Sequence, residues 1–230
     1  MANEIGTLYI VATPIGNMED ITMRALRILK EVDLILCEDT RTTGKLLARY
    51  EIKNKTSSYH AHSTKGKESA IIKLLNDGKN IALVSDAGTP CISDPGILLV
   101  QEVYNEFGPN ARVVPIPGAS ALITALSACG VSMAVFKFLG FLPHKKGRET
   151  LFKEMSIATT PIVFYESSHR IIKTLESLNK YCGDKNVVIG RELTKIYEEF
   201  LRAKPSELLE ILTKDKNKQK GEFVVIVYTK

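Results

Sequence analysis

Apolar runs of strand length alternate with stretches of helical period along most of the chain. Residues 6–14, GTLYIVATP, are β-branched and aromatic and end in a turn at Ile15-Gly16-Asn17. Residues 20–32, DITMRALRILKEV, place Ile21, Ala25, Ile28 and Leu29 on one helical face, with Asp20 as the expected N-cap. VDLILCED then reads as a strand and TRTTGKLLARY as a helix; a polar loop with His60 and His62 follows. ESAIIKLLNDG, NIALVSD, GILLVQEVYNEFG and ARVVPIP continue as helix, strand, helix and strand. Such alternation predicts a mainly parallel sheet with helices on both faces. Pro115 and Pro117 stiffen the chain, and PGASALITALSACG starts a new helix. FKFLGFLP, a basic loop, TPIVFYE, SSHRIIKTLESLNKYCG, KNVVIGRE, PSELLEILTK and GEFVVIVYTK then resume the pattern. The expected fold class is therefore α/β, in two lobes spanning residues 1–117 and 118–230.

One stretch departs from ordinary loop chemistry. Residues 84–96, VSDAGTPCISDPG, run from a strand end into two Asp-led turns in succession, where a turn normally needs one such cluster. Ligands of open α/β sheets bind beyond the carboxyl ends of strands. Thr13–Asn17, Glu38–Arg41, Asp86–Gly96, Pro117–Ala121, Glu166–Arg170 and Arg191–Lys195 all stand at or near such ends. No GxxxxGK[ST] loop is present, which argues against nucleotide triphosphate hydrolysis, and TPIGN stands where a dinucleotide fold would carry GxGxxG. HExxH and the nucleophile elbow are also missing. Glycines, hydroxyls and free backbone groups suit a small polar ligand without phosphate.

Composition adds a partner class. The net charge of +5 is unevenly placed: residues 1–117 carry 13 Lys/Arg against 14 Asp/Glu, and residues 118–230 carry 18 against 12. The excess gathers around Lys145-Lys146-Gly147-Arg148 and from Lys214 to Lys220, which suits either an anionic partner or a solvated lysine-rich face. Cys37, Cys91, Cys129 and Cys182 form no CxxC, so neither a zinc site nor a redox pair is signalled, and no metal is expected. The N-terminal stretch is a poor secretory signal and no segment is apolar enough to span a bilayer; a cytoplasmic, reducing location and no membrane partner are expected.

Read in order, TPIGN, EDTRTTG, SDAGTPCISDPG, PGASALITALSACG, FLGFLPHKKG, FYESSHR, RELTK and KGEFVVIV resemble one family over nearly the whole chain. They are similar to the small-subunit ribosomal RNA cytidine 2′-O-methyltransferases, a branch of the tetrapyrrole methylase (class III methyltransferase) superfamily that uses S-adenosylmethionine. Two departures are visible: Ser168 replaces the usual proline of YESPHR, and the acidic pair Glu198-Glu199 follows RELTK after Ile196-Tyr197. The resemblance implies two α/β lobes with the cofactor in the cleft between them, and a homodimer. It implies a 16S ribosomal RNA cytidine of the decoding centre as target, within the assembled small subunit. By matched motifs, the cofactor contacts would be Pro14, Asp86, Ala87, Gly88, Thr89, Ile92, Ser93, Ser120, Ala121, Tyr165, Glu166 and Leu193.

Methyl transfer to a ribose hydroxyl is helped by an acceptor for its proton. The candidates are Glu38, Asp39, Glu166, and Lys195 if burial lowers its pKa. Each has a bland reading beside it: Asp39 as a helix cap, Glu166 with Arg170 as a surface pair, Asp94 as a turn former. Arg41, Lys145, Lys146, Arg148 and Arg170 are the RNA-phosphate candidates, and His60 and His62 could touch RNA or brace a loop. The rival functions are a tetrapyrrole methyltransferase making cobalamin or sirohaem precursors, and a catalytically silent ribosome-binding module.

Overall fold

A computed structural model of the protein describes residues 4–60 and 65–229. His62 lies outside the described residues. The chain divides into two compact units, Met1–Ser120 and Ala121–Lys230.

In the first unit, strands β1 (Leu8–Val11), β2 (Leu34–Cys37), β3 (Thr56–Ser58), β4 (Ile81–Val84) and β5 (Val113–Ile116) alternate with helices α1 (Met23–Glu31), α2 (Thr40–Arg49), α3 (Lys65–Asn76) and α4 (Ile97–Phe107). The sheet order is β3-β2-β4-β1-β5 and every pairing is parallel. Strand β4, IALV, is buried at every position, as a strand covered on both faces must be. Ile81 and Leu83 pack with Leu75, Leu99 and Val103 on the α3/α4 side, while Ala82 and Val84 pack with Ala25, Ile28, Leu29 and Leu47 on the other. That period-two division makes a three-layer α/β/α unit.

Two local expectations are corrected here. The N-cap of α1 is Thr22, whose hydroxyl accepts from the Ala25 amide at 3.1 Å, because Asp20 is taken up in a short 3₁₀ turn that Asn17 caps. The segment read as a polar loop contains β3, whose sequence TSS gives no apolar signal; its pairing with β2 makes it an edge strand.

In the second unit, α5 (Ala121–Ala128), β6 (Lys137–Phe141), α6 (Arg148–Ile157), β7 (Ile162–Ser167), α7 (Ile171–Cys182), β8 (Asn186–Arg191), β9 (Glu199–Ala203), α8 (Pro205–Lys214) and β10 (Glu222–Tyr228) follow in order. The sheet runs β6-β7-β10-β8-β9, and only β6 and β7 are parallel. It is a mixed sheet, unlike the first, with the strand latest in sequence at its centre. Phe164, Ile189 and Val225 pack from the sheet against Phe152 and Met155 of α6, Leu175 and Leu178 of α7, and Leu208 and Leu212 of α8. Helix α6 and strand β9 were not legible as such. The basic loop hides the start of α6 after Gly147, and β9 alternates Leu201 and Ala203 toward the core with exposed Phe200 and Arg202. No helix among the described residues is long and apolar enough to cross a membrane.

Candidate functional site

The order of the first sheet creates a topological switch point. The chain leaves β1 toward β2 on one side and leaves β4 toward β5 on the other, and β1 and β4 are neighbours. Their following loops therefore diverge from adjacent strand ends and leave a crevice, the position where open α/β sheets bind ligands. Those loops are TPIGN and the doubled turn.

They are locked together. The Thr13 amide donates to the Gly88 carbonyl at 2.9 Å and the Gly88 amide returns the bond to Thr13 at 3.0 Å. The buried Thr13 hydroxyl donates to the Ser85 carbonyl at 3.1 Å, and the buried Ser85 hydroxyl donates to the Gly88 carbonyl at 3.2 Å. Gly88 has φ +81°, and a Cβ there would approach Ile15 Cγ2 to 3.2 Å, so the close turn needs a residue without a side chain. Two further loops of the same unit join. The Thr89 hydroxyl donates to the Ala119 carbonyl at 3.2 Å, Gly118 lies so near Ala12 that a Cβ would meet Ala12 Cβ at 2.9 Å, and the Asp39 amide donates to Asp86 Oδ1 at 3.0 Å. Loops after β1, β2, β4 and β5 thus form one hub.

Of the expected cofactor contacts in this unit, Gly88 is buried, Pro14, Thr89 and Ser120 are half-buried, and Asp86, Ala87, Ile92 and Ser93 are exposed. The rim of the hub is anionic. Burial, then the charge of Asp86, raises the Glu38 carboxyl above its ordinary range, with His60 working against it. Asp94 is pushed up to about 6 by burial and then by the charges of Glu38 and Asp86. Such groups favour a cation among them. Asp94, for which a turn-forming role was the expectation, is a half-buried member of this electrostatic group. Only its neighbours in space reveal that. Asp39 caps α2 through the Arg41 amide at 2.8 Å, and Arg41, by hydrogen bonding and charge, holds its carboxyl at about 2.

The second unit alters the expectations for its own residues. The Glu166 side chain is sealed from solvent: Oε2 accepts from the Thr174 hydroxyl at 2.6 Å and faces Arg148 at 3.5 Å, while Oε1 accepts from the Ser167 amide at 2.9 Å and pairs with Arg170 at 3.2 Å. It is neither an accessible base nor one half of a surface pair. The same contacts correct Arg148 and Arg170. Both guanidiniums are mostly buried, Arg170 donating also to the Leu142 carbonyl at 2.5 Å and Arg148 to the Pro143 carbonyl at 3.2 Å, so neither stands free for a phosphate. They tie down the loop that presents Lys145 and Lys146, both exposed.

Lys195 is also corrected. Burial works to lower its pKa, but hydrogen bonds to Glu192 at 2.9 Å and Glu222 at 3.0 Å outweigh it and raise the value, so the amine stays charged. Tyr165 accepts from the Leu122 amide at 3.2 Å near the start of α5, beside Ala121. Leu193 is buried in a tight turn between Glu192 (φ +49°) and Thr194 (φ +67°). Arg41 is exposed. No group of three metal-ligand side chains occurs among the described residues.

Comparison with known proteins adds a lineage to this geometry. The sequence profile of the family described as Tetrapyrrole (Corrin/Porphyrin) Methylases matches residues 7–209. A ribosomal RNA small subunit methyltransferase I from Halalkalibacterium halodurans is 48% identical over 223 residues, covering 96% of this chain and 75% of that protein. The protein of the same name from Thermotoga maritima is 45% identical over 223 residues, covering 97% of this chain and 98% of its own length. Among solved structures, a cobalt precorrin-4 methyltransferase superposes with a TM-score of 0.63 at 17% identity, covering 96% of this chain and 94% of that one. The uroporphyrin-III C-methyltransferase of Thermus thermophilus, complexed with S-adenosylhomocysteine, superposes with a TM-score of 0.63 at 16% identity over 97% of each chain.

Proposed function

The chain belongs to the tetrapyrrole methylase family, and on that premise we propose that it transfers a methyl group from S-adenosylmethionine to the 2′-hydroxyl of a cytidine in small-subunit ribosomal RNA. The observation that carries the reading is the locked pair of loops at the switch point, Thr13 to Gly88, under a carboxylate rim of Glu38, Asp86 and Asp94. A cationic ligand relieves the mutual repulsion of that rim. A sulfonium carrying an ammonium group is such a ligand, and main-chain N–H and C=O groups of the kind these turns carry suit its polar edges. When bound, the cofactor supplies an electrophilic methyl group on positive sulfur.

The protein's own work is placement. Main chain of Asp86–Thr89, Ile92 and Ser93, with Pro14 and Ser120, holds the cofactor at the hub of the first unit. Alignment of oxygen, carbon and sulfur is worth about 7–11 kcal/mol of barrier in well-oriented reactions. Of the carboxylates weighed as bases, Glu38 is the one whose proton affinity is raised without its being sealed off, and it accepts the proton of the ribose hydroxyl. Asp39, held at about 2 by Arg41, is too weak a base for that task. Exposed Lys145 and Lys146, with Arg41, contact RNA phosphates.

The finer reading extends to a homodimer acting in the cytoplasm on a decoding-centre cytidine of the assembled small subunit. The relatives' shared name and identities of 45–48% favour the ribosomal substrate over a porphyrinoid, whose enzymes share the fold at 16–17% identity. The test is tritiated methyl transfer to undermethylated small subunits, followed by mapping of alkali-resistant linkages. A methyl group on a base, or none, overturns the reading.

A further inference from the structure

Arg191, at the end of β8, is a buried cation that binds no ligand in the reading above. Its Nε donates to the Lys220 carbonyl at 2.8 Å and its Nη2 to the Asn217 carbonyl at 2.9 Å. Its Nη1 donates to the Tyr197 carbonyl at 3.2 Å and to Glu199 Oε1 at 3.0 Å. The side chain is only 8% exposed, so these bonds are largely shielded from competing water. One guanidinium therefore stitches two loops together, the turn between β8 and β9 and the lysine-rich segment before β10.

What this stitching presents is an aromatic tip. Ile196 is 96% exposed, the highest value among the exposed large apolar side chains of the described residues, and Tyr197 beside it is 71% exposed. The turn beneath them is held by Lys195 amide to Glu192 carbonyl at 2.9 Å, Glu198 amide to Lys195 carbonyl at 3.1 Å, and the Thr194 amide to the Glu198 carboxylate. The exposed pair thus stands on a hydrogen-bonded turn. An open groove of about 700 Å³ is lined by Tyr197 together with Asn217, Lys218 and Lys220. Of the four carboxylates in its wall, Glu199 is paired with Arg191 and Lys218 and Glu192 with Lys195, while Glu198 accepts from the Thr194 amide and Asp215 from the Asn217 amide. Lys220 of the lining is exposed, as is Lys216, which stands in sequence between the lining residues Asp215 and Asn217.

We propose that this groove is an RNA-contact surface, on which an unpaired base stacks against Tyr197 while Lys216 and Lys220 meet the flanking phosphates. An aromatic ring beside lysines is the chemistry of single-stranded nucleic acid recognition, in which stacking supplies affinity without reading sequence. The inference rests on the ribosomal RNA reading of function. It assigns to the second unit a substrate contact separate from Lys145 and Lys146.

The experiment measures binding of the full chain to isolated, undermethylated small ribosomal subunits by co-sedimentation, with methyl transfer, cofactor affinity and solution mass read in parallel. Loss of one stacked base predicts that Tyr197→Ala weakens binding roughly ten- to a hundredfold. Tyr197→Phe, which keeps the ring, stays within about twofold of wild type, and cofactor affinity and solution mass stay unchanged in both. Lys216→Glu with Lys220→Glu weakens binding and flattens its salt dependence. Wild-type binding by Tyr197→Ala overturns the proposal, as does equal impairment of the Ala and Phe variants. A fall in solution mass in Tyr197→Ala overturns it in favour of a contact with a second copy of the chain. Binding without methyl transfer by the wild-type protein sinks the functional reading and leaves this surface standing; transfer that Tyr197→Ala leaves intact, with unchanged binding, sinks the surface alone.

Discussion

Thr174 donates its hydroxyl to Glu166 at 2.6 Å, eight residues apart, with neither side chain in contact with solvent. The bond joins β7 to α7, and the charge it supports is balanced by Arg148 and Arg170. Removing one member of a buried, hydrogen-bonded ion cluster leaves the others uncompensated, at a typical cost of about 3–5 kcal/mol. Glu166→Ala is expected to lose stability on that scale, and Thr174→Val about 1–3 kcal/mol, the cost of an unmet buried acceptor. Urea unfolding midpoints measure both. Midpoints within error of wild type would show that the cluster contributes nothing to the fold.

A second expectation concerns charge at the rim. Asp86→Asn keeps the shape and the acceptor for the Asp39 amide while removing one negative charge. Affinity for S-adenosylmethionine should fall by about tenfold, on the order of 1.4 kcal/mol, and affinity for the uncharged thioether product should fall less. Calorimetric titration of both ligands gives the ratio. Equal losses would mean that the carboxylate acts through hydrogen bonding alone.

Gly88→Ala tests the hub itself. The new methyl meets Ile15 in a backbone region that favours glycine, and strain of this kind costs on the order of 1–3 kcal/mol. Thermal unfolding should drop, and cofactor affinity should fall with it because the Thr13 pairing is lost. Full affinity in a destabilised variant would separate the bridge from the binding site.

The pH dependence has a definite sign. Asp94 is ordinarily near 3.8 and is pushed up to about 6 in the folded protein. The folded state therefore binds the proton more tightly, and this group's contribution to stability is lost as pH rises from about 4 through 6. Asp94→Asn should be more stable than wild type at about pH 8, by on the order of 1–2 kcal/mol, and equal to it at about pH 3.5. Denaturant titrations at the two pH values decide it; a variant less stable at the higher pH contradicts the burial and repulsion assigned to this carboxyl.

Lys145→Glu with Lys146→Glu should raise KM for small subunits several-fold while leaving cofactor affinity alone, since both lysines are exposed. Steady-state kinetics across a salt series would show it, and identical salt slopes in wild type and variant would remove these lysines from the interface.

Where apolar period and turn chemistry coincide, the chain could be read directly. The strand IALV and the helix with Ala25, Ile28 and Leu29 fall where their periodicity puts them, and the doubled turn does open at a strand end. Polar or short elements were hidden, because TSS and EFLRA gain their order from pairing with β2 and β8 rather than from their own composition. Side-chain roles were the least legible. Glu166 with Arg170 has the spacing of a surface pair, and only the packing of β7 against α7 turns it into a buried cluster. Arg191 stood out only as the start of the Arg191–Lys195 loop; its structural role was not legible, since three of its four partners are carbonyl oxygens, the farthest 29 residues away.

Strand β10 lies between β7 and β8 and pairs with both, yet it follows the other four strands of its sheet in sequence. During synthesis the first unit has all five of its strands as soon as Ile116 has emerged, whereas β7 and β8 wait with unpaired inner edges until Tyr228 appears. The two units thus mature on different clocks, and the later one depends on a central plank that arrives after the strands on either side of it.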